Sequence, residues 1–98
     1  MTLDIDEYDD DALCRGIVVA ALSASPDGAP EDHVEGIWGA FQSERLAWNT
    51  WLLVLMGEID VMWNDESGEP VFARVAEKDR ESRRDAIRAA MEKGKVPA

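Results

Sequence analysis

A nucleophile, a base or a metal-ligand set would be the start of any chemistry, and this chain offers few of them. It has one cysteine, Cys14, and one histidine, His33. A thiol and an imidazole can act together as nucleophile and base. Cys14, however, falls in an apolar helical stripe, where a thiol with no neighbouring cation behaves as an inert small hydrophobe. His33 is expected on the surface, in the first turn of its helix, and a serine triad or a histidine-rich zinc site is hard to build around it alone. Carboxylates are so abundant that no single pair stands out as acid and base. The run from Asp60 to Glu69 resembles a calcium loop only superficially. Met62 occupies a ligand position, and Asp65 stands where the sharp-turn glycine is required. The N-terminal aspartates lack that glycine too. Gly36 and Gly39 sit in a helical pattern with no Gly-Lys-Ser/Thr after them, so there is no phosphate cradle. The expectation is a protein that is not an enzyme, with no catalytic residue, no cofactor and no metal site.

Charge is the stronger signal. The formal net charge is -11 over 98 residues. A field of that sign repels phosphate and favours basic partners. It is unevenly spread. Up to Pro70 the only basic residues are Arg15 and Arg45, against sixteen acidic ones, whereas from Val71 onward eight basic residues face five acidic ones. Three acidic segments form the candidate partner-binding face: Asp9, Asp10 and Asp11; Glu31, Asp32 and Glu35; and Asp65, Glu66 and Glu69. The basic segment carries Lys78, Arg80, Arg83, Arg84 and Arg88. It reads either as a solvated helix face laced with pairs such as Asp79 with Arg83 and Glu81 with Arg84, or as a basic helix that meets an acidic partner or the acidic half of another copy. Trp63, near a hairpin tip, is a candidate aromatic anchor, unless it packs the hairpin onto the helices.

The elements that position these residues follow from periodicity. At 98 residues the chain is long enough for one domain, and 46% hydrophobic residues suffice for one modest core. Leu13, Ile17, Ala20, Ala21 and Ala24 recur at helical spacing and predict a first helix from about Asp10 to Ala24, which the preceding aspartates can cap. Ser25 to Pro30, with two prolines and a glycine, breaks it. Pro30 fits the first position of a second helix carrying Val34, Ile37, Trp38 and Phe41. The stripe runs on through Trp48, Leu52 and Leu55. One continuous helix from 30 to 56 would be about 40 Å long, too long for a domain this small. A break is therefore expected near Gln42 to Glu44, with Ser43 capping a third helix that Gly57 ends. Trp38 and Trp48 are expected on the core stripe, with Trp51 at its edge. Ile59, Val61 and Trp63 alternate with polar residues, turn formers fill Asn64 to Pro70, and Val71 to Val75 reads as a second strand. Met62 and Phe72 are expected on a second, partly apolar face of this hairpin. A charged fourth helix begins near Glu77, with Ala86, Ile87, Ala90 and Met91 as its apolar stripe and Gly94 as its stop. Residues 1–9 read as an acidic, flexible tail, 10–93 as the domain and 94–98 as a second tail.

Three helices, a hairpin and a last helix resemble the winged-helix arrangement in element order, carried by Ser43 to Met56, Gly57 and the wing Glu58 to Val75. That resemblance implies an α+β fold: a three-helix winged-helix-like core with a β-hairpin and a C-terminal helix. Many winged helices bind DNA through the third helix and a basic wing tip. Here the tip carries three carboxylates and no cation, and the third helix offers only Arg45 beside Glu44. Two functions are carried forward. The first is a non-catalytic acidic protein-interaction module, an antagonist or regulator of a nucleic-acid-binding protein whose basic surface meets its negative one. In its sharpest form it imitates phosphate charge. The second is a winged-helix DNA-binding regulator acting through a homodimer and the basic C-terminal helix. One cysteine cannot close an intrachain disulfide. No basic stretch followed by an apolar run opens the chain, and Trp51 to Met56 is too short to span a bilayer, so a cytoplasmic location without membrane contact is expected.

Overall fold

A computed structural model describes residues 7–25, 27–43 and 48–93. The chain is an α+β protein: α1 (Asp10–Ala24), α2 (Glu31–Ser43), α3 (Trp48–Leu55), the antiparallel hairpin β1 (Ile59–Asn64) and β2 (Glu69–Arg74), and α4 (Glu77–Glu92). Three helices, a two-stranded hairpin and a C-terminal helix are compatible with a winged-helix-like arrangement. Residues 1–6, Arg45 and Gly94 to Ala98, on which parts of the sequence reading fall, lie outside the described residues.

Helix α1 is central and packs against every other helix and against β1. The Asp9 carboxylate accepts the Ala12 N–H at 2.8 Å, and Asp10 and Asp11 place negative charge in the first turn. The helix buries Leu13, Ile17, Ala20 and Ala21 as the spacing implies. Gly16 adds what the periodicity did not single out. A Cβ there would lie 2.8 Å from Met91 Cγ, so the missing side chain is what lets α4 approach. Met91 and Ile87 then become fully buried, each burial contributing roughly 1.5–3 kcal/mol. Arg15 clamps the same crossing. Its guanidinium donates to the Ala90 and Met91 carbonyls at 3.0 and 3.4 Å, satisfying acceptors in α4's last turn.

The Pro30 carbonyl accepts the His33 and Val34 N–H groups, which places Pro30 one residue before α2 rather than at its first helical position. Ser43 is the last residue of α2 and its hydroxyl donates to the Ala40 carbonyl, so it does not cap the third helix. Helix α3 ends in a Schellman motif: Gly57 N–H donates to Val54 O and Glu58 N–H to Leu53 O, with Gly57 at φ 78°. The tryptophans sort differently from the expectation. Trp51 is the fully buried one at 1% exposed, whereas Trp38 and Trp48 are half-buried at the core margin. Trp38 stacks on Phe41, Phe41 meets Trp51 edge-on at 5.4 Å, and Trp51 meets Phe72 edge-on at 5.2 Å. This aromatic line joins α2, α3 and β2.

The hairpin register pairs Val61 with Phe72 and Met62 with Val71. Directly opposed residues share a face, so Phe72 lies on the core face with Val61 and not on the face of Met62. Strand β2 begins at Glu69, earlier than the apolar run alone indicated, because pairing of Asn64 with Glu69 extends the ladder to the turn. Asn64 organises that turn: its side-chain oxygen accepts the Glu66 N–H at 2.9 Å and its carbonyl accepts the Gly68 N–H.

Candidate functional site

The acidic segments are positioned by the way the hairpin leans on α2. A Cβ on Gly36 would lie 2.8 Å from Trp63 Cε2, so the Trp63 ring fills the space above that glycine and is half-buried against the core. Docking at this point carries the hairpin tip to the start of α2. There His33 Nε2 lies 3.0 Å from Asp65 Oδ2. His33 is 27% exposed at its side chain and Asp65 is 73% exposed. The contact brings the turn that carries Asp65 and Glu66 to the start of α2, whose first turns carry Glu31, Asp32 and Glu35, with Glu69 at the first position of β2. All six carboxylate residues are exposed.

Asp9, Asp10 and Asp11 do not join them. They stand at the other end of α1, a helix of 15 residues and so about 22 Å long. Near them the Tyr8 hydroxyl donates to Glu92 Oε1 at 2.9 Å, which sets this end of the chain against the end of α4. Burial, and then that hydrogen bond, raise the phenol above its ordinary value. Cys14 is half-buried in a groove of about 390 Å³ beside Arg15, Val18 and Ala90. Desolvation first, then the nearby Asp11 charge, push its thiol up, with Arg15 opposing. Cys14 and His33 thus occupy different places, one in the α1–α4 groove and one at the hairpin tip.

The C-terminal arginines are used in several ways. Arg83 pairs with Asp60 of β1 instead of Asp79, because the outward face of β1 lies within reach of α4. Arg80 Nε donates to the Val75 carbonyl at 3.2 Å. Arg84 Nε lies 3.9 Å from Asp85, and among the described residues it does not pair with Glu81. Arg88 is half-buried. Among the described residues no arginine pairs with a carboxylate of the tip or of α2's first turn. The described third helix, Trp48–Leu55, contains no charged residue at all.

Sequence reasoning did not foresee His33–Asp65, Asp60–Arg83 or the Arg15 clamp. Each joins positions 23 to 76 residues apart, and no local pattern encodes such a contact. Among the described residues no group of three or more His, Cys, Asp or Glu is placed to hold a metal ion, and no helix is long and apolar enough to cross a membrane. Comparison with protein families, with curated proteins and with solved structures finds no match for this chain.

Proposed function

We propose that this chain is a non-catalytic protein-interaction module, and that the end of the molecule formed by the hairpin tip and the start of α2 contacts a basic protein surface. The observation that carries the reading is the His33–Asp65 contact, which brings two acidic segments distant in sequence to the same end of the molecule. No arginine neutralises those segments among the described residues. Carboxylates grouped within a Debye length of about 8 Å reinforce one another's field. Such a field accelerates encounter with a cationic partner and suppresses contact with a phosphodiester. A partner that itself binds nucleic acid has a surface of the required charge, so occupying that surface would antagonise or regulate it. Direct DNA reading is the poorer fit, since the wing tip is anionic and the described third helix is uncharged.

Affinity capture from cell lysate at low and high salt, read by mass spectrometry, tests the reading. The control variant carries Asp65→Asn, Glu66→Gln and Glu69→Gln. The expected result is a basic protein held at low salt, released near about 0.5 M salt, and lost by the variant. Identical proteins on both baits, or retention insensitive to salt, would refute it. A mobility shift of DNA by the chain alone at low salt would favour the DNA-binding reading instead.

A further inference from the structure

The root of the hairpin, remote from the acidic tip, holds a second feature that the proposed function does not use. Where α3 ends, the two strands begin and end, and α4 starts, there is a cavity of about 200 Å³ lined by Leu53, Glu58, Ile59, Arg74 and Arg80. Two arginines and one glutamate are thus among the five residues that line it. Among the described residues none of the three forms an ion pair. In a chain with sixteen acidic residues before Pro70, that is a conspicuous omission.

Glu58 is pinned at both ends, its N–H donating to Leu53 O and its carbonyl accepting the Val75 N–H, each at 3.0 Å. Arg80 Nε is committed to the Val75 carbonyl, which fixes the plane of the guanidinium and leaves its two Nη groups for another acceptor. Arg74 ends β2 opposite Ile59. Two arginines thus share the lining of one cavity with a single glutamate, and neither forms an ion pair with it.

We infer that the hairpin-root cavity binds a carboxylate. A carboxylate accepts two parallel N–H bonds from a guanidinium fork, and both Arg74 and Arg80 line this cavity. Leu53 and Ile59 supply an apolar wall for a short hydrocarbon stem. Glu58 and the net charge of -11 disfavour multiply charged anions such as inorganic phosphate. The carboxylate is either that of a small free molecule or a side chain of another copy's hairpin tip, which offers Asp65, Glu66 and Glu69.

Titration of the ¹⁵N-labelled chain with sodium acetate, at ionic strength held constant with chloride, tests this. The expected result is saturable amide shifts confined to Glu58, Ile59 and Val75, weakened about tenfold or more by Arg74→Gln. Arg74 is exposed, so that variant keeps its fold and its other amide positions. Arg80→Gln, checked for its fold by the same spectrum, is the second variant and should weaken binding likewise. A protein dilution series without acetate separates the sources. Cavity shifts that depend on concentration and vanish in the Asp65→Asn, Glu66→Gln, Glu69→Gln variant assign the carboxylate to another copy, and acetate binding without them assigns it to a free molecule. The inference is overturned if neither acetate nor concentration moves these amides beyond the chloride control. It is equally overturned if Arg74→Gln leaves the shifts unchanged, or if phosphate binds more tightly than acetate.

Discussion

Replacing Gly57 with alanine should be among the most damaging single changes in this protein, and the reason can be worked from the geometry. Gly57 sits at φ 78°, a left-handed conformation that costs a residue with a Cβ roughly 1–2 kcal/mol. The added Cβ would also lie 2.5 Å from the Arg84 nitrogen and 2.8 Å from its Cα. Both are backbone atoms inside α4, so no side-chain rotation relieves the overlap. Ordinary contact begins at 3.4 Å, so α4 must retreat by about 0.9 Å. That retreat loosens Ile87 and Met91, both fully buried, and forced shifts of this kind cost about 1–3 kcal/mol. Together the two effects reach about 2–5 kcal/mol, against a total stability of about 5–15 kcal/mol for a domain of this length. Gly28 is the built-in control: its φ is 80°, yet nothing lies within 4 Å of a Cβ there. Gly28→Ala should show the conformational cost alone. Urea unfolding followed by tryptophan fluorescence measures both. If Gly57→Ala loses no more than Gly28→Ala, to within about 0.5 kcal/mol, the close approach of α4 is refuted.

Three further outcomes follow from other contacts. Tyr8 is the only tyrosine, and its phenol is raised first by burial and then by Glu92. A folded-state value above the unfolded one means that the neutral phenol stabilises the fold. That contribution is complete below about pH 10 and is lost as pH rises through the folded value. Ultraviolet titration should show phenolate appearing at higher pH in the native chain than in urea, and Tyr8→Phe should remove the corresponding alkaline loss of stability. Cys14, held up by burial and by Asp11, should alkylate more slowly at mildly alkaline pH than in the unfolded chain. Asp11→Asn should speed the native reaction, and equal native and unfolded rates would count against the placement. Arg83 and Asp60 are only 18% and 21% exposed at their side chains. A double-mutant cycle with Arg83→Gln and Asp60→Asn should return a coupling of about 1–3 kcal/mol, and a value under about 0.5 kcal/mol would mean the pair is solvated.

Much of the architecture was legible one-dimensionally because the signals are local. The Asp9 cap, the alternation at Ile59, Val61 and Trp63, and the Gly57 stop each depend on residues within a few positions of one another. Backbone sterics and period decide such features wherever the chain goes, so the α+β element order followed from them. The third helix was harder. Trp48, Leu52 and Leu55 continue the stripe of α2 in register, and periodicity cannot say where a stripe bends. The same holds for Phe72. Alternation shows that a strand has two faces, but only pairing with Val61 decides which face turns inward.

What lay beyond the residues' order is every contact made across the fold. Composition determined the sign of the surface and the scarcity of reactive side chains. It could not determine that two acidic segments meet at His33 while the third stands at the far end of α1. Nor could it show that Arg83 and Arg15 are turned to structural use while Arg74 and Arg80 line a shared cavity. Charge is additive along a chain, but pairing depends on separation in space. The close approaches at Gly16, Gly36 and Gly57 set those separations, and they exist only once the helices and the hairpin have packed.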